Sequence, residues 1–173
     1  MDKSDEKNGR EVGVEELTLA SFAPFGTFAD MSRPTGNVFG QPPVRFFPDM
    51  LRLDTGGKSP TFSVCLVESR PPIVTISEYH TSTGEGIFAW DAPIDIHVAE
   101  PTGGAVVPWK RIRIFHVPKG TLVVLHPGVW HHTPFLASPA TISASVLIIL
   151  PERTYRNDCV PIDLPPSEQV KLC

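Results

Sequence analysis

The stretch GTLVVLHPGVWHHTPF, residues 120–135, is the part of the chain that decides the fold class. An apolar run, Thr121–Leu125, leads into the turn pair Pro127-Gly128, and a second extended segment follows. Alternate side chains of a β-strand share a face, so His131 and His132 must point to opposite sides. One of these histidines can enter a core or pocket while the other faces outward. The pattern predicts a β-hairpin that carries imidazoles at its turn.

Short apolar runs bounded by turn residues continue along most of the chain. After Pro60 this pattern predicts eight strands: Phe62–Glu68, Ile73–His80, Gly86–Trp90, Ile94–Ala99, Ile112–Val117, Thr121–Leu125, Trp130–Phe135 and Ala140–Leu150. Before it, the sequence predicts a short helix between Leu17 and Phe28 and two short strands, Val44–Phe47 and Leu51–Leu53. Many short strands in a chain with 19 prolines and 13 glycines favour a β-sandwich or barrel.

The length of 173 residues is that of a single domain. Residues 1–14 are charged and polar and are predicted to form a flexible tail. Residues 15–166 are assigned to one β-barrel domain, and residues 167–173 to a C-terminal tail. The Pro-rich stretch from Pro151 onward is expected to run along the outside of the barrel or to meet a partner subunit.

Composition excludes several classes of function. The formal net charge is −4 and no basic stripe is present, which argues against nucleic-acid binding. No apolar run approaches the ~20 residues of a membrane-spanning helix. The charged N-terminus lacks the apolar region of a secretory signal, so a cytoplasmic protein is expected. Cys65, Cys159 and Cys173 are odd in number and irregularly spaced, which predicts free thiols.

A second polar cluster, Glu78-x-His80-x-x-x-x-Glu85, lies about fifty residues before the histidine pair. Glu78 and His80 share a strand face, and Glu85 follows a short turn. Carboxylate and imidazole groups are suitable ligands for Zn, Ni, Mn or Fe. If the two hairpins close over one lumen, His80, Glu85 and His131 are predicted to hold a divalent transition metal, with Glu78 beside them.

Two other interpretations of these residues remain open. The same cluster could serve acid–base chemistry without any metal, with His126 or His132 as a candidate acid or base. Alternatively, the histidines could simply pack around Trp130 as part of the core.

The two clusters resemble the two motifs of the cupin superfamily. The first cupin motif reads His-x-His, then three or four residues, then Glu; here it is Glu78-x-His80-x-x-x-x-Glu85, with Glu in place of the first His. The second motif is a Pro/Gly turn followed by His, here Pro127 to His131. The resemblance implies an all-β, cupin-type β-barrel (a double-stranded β-helix or jelly roll) with a short N-terminal helix and extended termini.

A closer similarity is to the ureidoglycolate lyase family, cupins of purine and allantoin degradation. The segment HPGVWHHTPF, residues 126–135, is similar to that family's His-x-x-Val-Trp-His-His-Pro-Leu-Phe. Supporting similarities are found at Leu17-Thr18, Phe22–Gly26, Arg113–Phe115, Asn157–Cys159 and Ile162–Pro165. The similarity covers about residues 15–166. The chain departs from the family at Asp95 and His97, which interrupt a strand that is apolar in the lyases, and at Ile87–Trp90.

The resemblance implies a lyase that cleaves ureidoglycolate to glyoxylate and urea with the help of a divalent metal of undetermined identity. The metal ligands would be His80, Glu85 and His131. Glu78 would act as the base if it is not itself a metal ligand, with His126 or His132 as the proton donor to the leaving nitrogen.

The implied substrate is a small carboxylate, and its recognition requires a cation. Arg70 is the first choice for this role and Arg45 the second, because a guanidinium matches a carboxylate in a planar fork. Trp130 completes the predicted substrate-binding set. The resemblance also implies a homodimer. Alternatives are a divergent cupin lyase, isomerase or dehydratase acting on another small hydroxy or sugar acid, and a cupin that binds a small ligand without catalysis.

Overall fold

A computed structural model describes residues 9–173 of the chain. Strands dominate this region, and its helices are short. The strands are β1 Arg10–Val12, β2 Val14–Glu16, β3 Gly26–Asp30, β4 Phe39–Gln41, β5 Val44–Phe46, β6 Pro60–Glu68, β7 Ile73–Val74, β8 Ile76–Ser77, β9 Glu85–Ala89, β10 Ile94–Val98, β11 Arg113–Val117, β12 Thr121–Leu125, β13 Phe135–Leu136, β14 Ser143–Pro151, β15 Ile162–Asp163 and β16 Val170–Leu172. The helices are α1 Leu19–Phe22 and α2 Thr154–Asn157, with single 3-10 turns at Trp109–Arg111 and Pro166–Glu168.

Two sheets form the barrel. The larger has five antiparallel strands in the order β3-β12-β9-β14-β6, and the other has the order β13-β10-β11-β2. Inward side chains of both sheets meet in one core of buried residues. Ile87 and Val123, register partners in the larger sheet, lie in this core with Ile96 and Phe115 of the other sheet. These four residues are all 1% exposed or less, so the sheets face each other across a dry interior.

A third layer covers the outer face of the smaller sheet. Strands β1, β16 and β7 form a three-stranded sheet there. Its residues Val74, Val170 and Leu172 belong to a second buried cluster, which also contains Ile114 of β11 and Trp130. Since β1 pairs with β16 in parallel, the two ends of the described chain meet in this layer.

The layer places structure in two segments that the sequence assigned to tails. Arg10–Val12 pairs with Val170–Leu172, and Val12, Val170 and Leu172 are buried. These strands form because their apolar side chains cover the second cluster. A strand of three residues is too short to give a clear alternation in the sequence, so the strands were not predicted. Residues 1–8 of the predicted N-terminal tail lie outside the described residues.

Most predicted strands are confirmed, but several boundaries differ. The predicted helix is limited to Leu19–Phe22, with Thr18 as its N-cap, and Gly26–Asp30 is a strand instead. Residues 51–53 are irregular, and residues 130–134 contribute two isolated bridges before the short strand β13. The predicted strand 73–80 is divided into β7 and β8.

The predicted fold class is confirmed: the described chain is an all-β, cupin-type barrel with extended terminal segments. No helix within residues 9–173 combines the length and the apolar character needed to cross a bilayer.

Candidate metal centre

A two-residue bridge brings the two sequence motifs together. The Glu78 N–H donates to the His131 carbonyl at 2.6 Å, and the His131 N–H donates to the Glu78 carbonyl at 2.8 Å. At the next position along the first motif, the Gly128 N–H donates to the His80 carbonyl at 2.7 Å. Gly128 has φ +83°, a conformation that favours glycine, so the Pro-Gly turn can follow this path without strain. The bridge explains how residues far apart in sequence form one site.

Four polar side chains converge beside the bridge. The candidate ligand atoms of Glu78, His80 and His131 all lie within 4.8 Å of one another. Glu85, the first residue of β9, places its Oε2 atom 2.9 Å from His80 Nε2 and 3.0 Å from His131 Nε2. His80, Glu85 and His131 are 3%, 7% and 3% exposed. The structure therefore brings together all three predicted metal ligands and Glu78.

Both imidazoles are oriented by main-chain carbonyl groups. His80 Nδ1 lies 2.7 Å from the Asp158 oxygen, and His131 Nδ1 lies 2.8 Å from the Val129 oxygen. A carbonyl only accepts hydrogen bonds, so each Nδ1 carries a proton. Each Nε2 atom then faces the carboxylates, which is the arrangement that metal-binding histidines usually have. This second layer of contacts, and a donor set of two imidazoles and two carboxylates, fit a divalent transition metal.

Contacts between the carboxylate and the imidazoles shift the pKa values of this buried donor set. Burial alone would raise the pKa of Glu85, but the His131 and His80 side chains lower it well below its usual range. Burial alone would lower the pKa of His131, but the Glu85 carboxylate raises it above its ordinary value. Glu85 is therefore ionised at neutral pH, as a metal ligand must be.

A cavity of about 170 Å³ opens beside the cluster. Glu78, His80, Glu85 and His132 supply its polar wall. Its other wall includes the side chains of Cys65, Ile148, Leu150, Tyr155 and Cys159. The cavity can therefore hold a small molecule between the candidate ligands and an apolar surface.

Two further groups in the cavity have defined partners. His132 Nδ1 lies 3.0 Å from the Thr133 hydroxyl, and burial lowers the pKa of His132. The Cys159 thiol donates to Glu78 Oε2 at 3.0 Å. Burial, followed by the contact with Glu78, raises the pKa of Cys159 to about 12. All three cysteines of the chain are free thiols.

The segment after α2 closes the site from the C-terminal side. The Asp158 carboxylate accepts hydrogen bonds from the main-chain N–H and hydroxyl groups of both Thr81 and Ser82. The Val160 N–H donates to the Tyr79 carbonyl at 3.2 Å. Sequence reasoning missed Cys65, Asp158 and Cys159 as site residues. The only signal for the last two was their place in a segment similar to the lyase family.

Arg70 lies close to the cavity but is held by the chain. Its guanidinium donates to the carbonyl oxygens of Thr133 at 2.8 Å and Pro134 at 2.7 Å, and stacks 4.3 Å from the ring centroid of Phe135. It lines an adjoining cavity of about 310 Å³, which shares Cys65, Thr133 and Pro134 with the smaller one. The predicted carboxylate-binding arginine thus stands at the edge of the site.

The structure does not bring three other predicted residues to this cavity. His126 is exposed and lines a different cavity near Met50, because it lies beyond the end of β12, in the turn that follows buried Leu125. Arg45 lies on the exposed hairpin β4–β5. Trp130 alternates with His131 and so enters the second buried cluster, where its Nε1–H donates to the Thr102 hydroxyl at 3.0 Å.

The two polar residues that interrupt β10 also lie away from the cavity wall. Asp95 Oδ1 is 3.0 Å from His116 Nδ1. His97 is 1% exposed, and its Nε2 lies 3.1 Å from the Ser77 hydroxyl, which donates to the His131 carbonyl at 3.2 Å. Among residues 9–173 the His97 Nδ1 atom has no hydrogen-bond partner. His97 therefore contacts the site only through Ser77, behind His131.

The strand topology and the buried Glu/His cluster define a cupin-like β-barrel with a candidate metal site. No protein-family model matches the chain, and no curated protein matches it either. Among solved structures, the chain is similar to the oxalate decarboxylase of Bacillus subtilis, which has Mn(II) centres, and to a second oxalate decarboxylase structure that was solved to study substrate binding and reaction specificity.

In both comparisons the sequence identity is 15% and the TM-score is 0.42. The match covers 62% of this chain and 24% of the other, so this chain spans about a quarter of the decarboxylase length. The fold itself is defined by the strand order of the two facing sheets.

Proposed function

We propose that this protein is a metal-assisted lyase that cleaves ureidoglycolate, or a small hydroxy acid of the same type, to glyoxylate and urea. The observation that carries the proposal is the convergence of Glu78, His80, Glu85 and His131 beside one cavity, which the first three of them line. The similarity of residues 126–135 to the ureidoglycolate lyase family supports the choice of substrate.

The cavity favours a small, polar substrate. Its volume of about 170 Å³ is below the ~300 Å³ at which pockets for drug-sized ligands begin. Glu78 and His132 line it together with the apolar side chains of Ile148 and Leu150. This arrangement suits a molecule of a few heavy atoms that has hydroxyl and carboxylate groups at one end.

The chemistry assigns a role to each polar side chain. A divalent ion held by His80, Glu85 and His131 would supply the Lewis acidity that lowers the pKa of a substrate hydroxyl. Glu78 removes the hydroxyl proton, and the electron pair of that O–H bond forms the aldehyde carbonyl of glyoxylate. The C–N bond breaks at the same carbon, and its electron pair passes to the urea nitrogen. His132 donates the proton which that nitrogen needs. Each proton transfer is worth ~100- to 10,000-fold in rate.

Arg70 is the proposed partner of the substrate carboxylate. A guanidinium has five N–H donors, and the contacts to Thr133 and Pro134 use three of them. The adjoining cavity gives a carboxylate access to the same guanidinium. Because these contacts also fix Thr133 and Pro134, Arg70 shapes the edge of the cavity next to His132.

We also propose that the protein is a cytoplasmic homodimer. The edge strand β6 exposes Phe62, Val64 and Leu66 on one face, at 68%, 55% and 71% of their surface. Edge strands with exposed apolar side chains are usually covered by another chain, here a second copy. Free thiols, rather than disulfides, support a reducing compartment. Sedimentation of the wild type and Leu66→Asp tests the dimer, which the variant should weaken.

The test of the function is a direct assay. The protein, freed of metal and reloaded in turn with Ni, Mn, Zn and Fe, is incubated with ureidoglycolate, and released glyoxylate is measured. We expect release that depends on the added metal. If none of the four metals supports release, the lyase proposal fails. A panel of sugar acids and other hydroxy acids then tests the isomerase and dehydratase alternatives, and retained ligand without turnover would indicate a binding protein.

A further inference from the structure

Cys159 occupies a position that the proposed mechanism does not use. Its Sγ atom lies 3.0 Å from Glu78 Oε2, and it lines the same cavity as His80 and Glu85. Glu78 is in turn a member of the cluster whose ligand atoms lie within 4.8 Å of one another. The thiol therefore contacts one member of the candidate cluster directly and shares a cavity with two others.

The chain fixes this position on both sides of the cysteine. Immediately before it, the Asp158 carbonyl accepts a hydrogen bond from His80, and the Asp158 carboxylate holds Thr81 and Ser82. Immediately after it, Val160 is hydrogen bonded to the main chain of Tyr79. The same segment that orients one imidazole thus delivers the thiol to Glu78.

The distance between Cys159 Sγ and Glu78 Oε2 is close to that of two neighbouring donors on one ion, so an ion next to Glu78 is also within reach of the sulfur. Oxygen and sulfur atoms bound to one zinc ion at ~2.1 and ~2.3 Å are about 3.1 to 3.6 Å apart for bond angles between a right angle and the tetrahedral angle. The observed 3.0 Å lies just below this range. A small movement of the Cys159 side chain is enough to bring its sulfur to such an ion.

We infer that Cys159 is a further ligand of the metal in this centre, bound as the thiolate. This inference rests on the proposed metal-assisted function and adds a sulfur donor to its nitrogen and oxygen ligands. Thiolate is a soft ligand that favours Zn²⁺ over Mn²⁺, whereas carboxylate and imidazole alone discriminate less. The centre is therefore selective for a thiophilic ion.

Zinc K-edge X-ray absorption of the zinc-loaded, full-length protein tests the inference. We expect one sulfur neighbour at ~2.3 Å in the wild type, together with nitrogen and oxygen neighbours at ~2.0–2.2 Å. Cys159→Ser should keep the zinc but lose the sulfur neighbour, because its hydroxyl can still donate to Glu78. Cys65→Ser is the matched control, since Cys65 lines the same cavity, and it should retain the sulfur neighbour.

Competition between metals gives a second, independent measurement. Zinc affinity should fall at least tenfold in Cys159→Ser, while manganese affinity should stay within about twofold of the wild type. Equal loss of both affinities would indicate a purely structural role for Cys159 and overturn the inference.

The outcomes separate this inference from the proposed function. Stoichiometric zinc with only nitrogen and oxygen neighbours in the wild type overturns the role of Cys159 and leaves the metal centre standing. A sulfur neighbour that persists in Cys159→Ser overturns it as well. If the wild type binds no zinc and none of the other metals, the metal centre itself fails, and the role of Cys159 falls with it.

Discussion

Glu85 and His131 form a buried pair in which Oε2 and Nε2 are 3.0 Å apart. Glu85 begins strand β9, whereas His131 lies in the segment between β12 and β13. His80 contacts the same carboxylate oxygen at 2.9 Å. Glu85 thus joins both imidazoles in the metal-free chain. The pair stabilises the site before any ion is bound, because either charge would be costly to bury alone.

Removing one partner of this pair should destabilise the metal-free protein strongly. We expect His131→Ala to lower the free energy of unfolding by about 3–5 kcal/mol, since Glu85 loses a charged partner in a buried position. Urea denaturation in the presence of a chelator measures the change. The exposed His126 provides the control, and His126→Ala should stay within about 0.5 kcal/mol of the wild type. Equal losses in the two variants would contradict the buried pair.

Metal removal should abolish glyoxylate release and lower thermal stability together. An ion that binds only the folded state at 100 times its dissociation constant adds about 2.7 kcal/mol to the free energy of unfolding. His80→Ala and His131→Ala should lose both the bound metal and this added stability. Metal analysis and melting curves with and without added zinc check the result. Unchanged metal content in both variants would place the ion elsewhere.

The base assignment predicts a specific effect of Glu78→Gln. We expect kcat to fall by ~100- to 10,000-fold while the metal content is retained, because the amide cannot accept the hydroxyl proton. Glu68→Gln is the control, since Glu68 is exposed at the end of β6. Loss of metal in Glu78→Gln would instead assign Glu78 to the ligand set. Full activity with metal retained would remove it from both roles.

Asp158→Asn should weaken the site although the Asp158 side chain contacts no candidate ligand. The amide can accept hydrogen bonds only at its oxygen, so donors of Thr81 or Ser82 lose their partner, at a cost of about 1–3 kcal/mol. The free energy of unfolding and the zinc affinity should both decrease. Asp163→Asn, at an exposed position of β15, should change neither.

The Asp158 carboxylate should also make the free energy of unfolding depend on pH. Burial alone would raise the pKa of Asp158, but hydrogen bonds from Ser82 and Thr81 outweigh this effect and lower the pKa to about 2. Because the folded pKa is depressed, its contribution to stability is complete above the ordinary value near 3.8 and is lost as the pH falls toward 2. The difference in unfolding free energy between the wild type and Asp158→Asn should therefore shrink over this interval. A constant difference from pH 5 to pH 2 would contradict the assignment.

Trp130 is expected to act in packing rather than in substrate binding. It is 1% exposed and its ring lies 4.5 Å from that of Tyr79. Trp130→Phe should lower the free energy of unfolding by about 1–3 kcal/mol, because the hydrogen bond to Thr102 and part of the packing are lost. The KM for the substrate should not change. Trp90→Phe, at a position that is 53% exposed, is the matched control for stability.

Much of the barrel could be predicted because its strands follow the alternation of apolar and polar residues. Thr121–Leu125 is confirmed to the residue, and the meeting of the two motifs follows from the placement of His80 and His131 on facing segments. The role of His126 could not be judged in this way. His126 lies in the turn after β12, where strand alternation no longer determines the direction of a side chain.

The orienting contacts of the site could not be predicted at all. His80 and His131 are both held by main-chain carbonyls, of Asp158 and Val129, and every residue type has such a carbonyl. The partner of His80 is also 78 residues away along the chain. Contacts of this kind leave no pattern in side-chain identity, so only the folded topology reveals them.

The long separation between His80 and Asp158 has a consequence for protein synthesis. A nascent chain exposes His80 and Glu85 while the 78 residues that lead to their orienting carbonyl are still being added. The ligands are then present without the segment that fixes their geometry and supplies Cys159. Metal acquisition should accordingly follow translation of the C-terminal third, and truncated translation products should be unable to sequester the ion from the cell's pool.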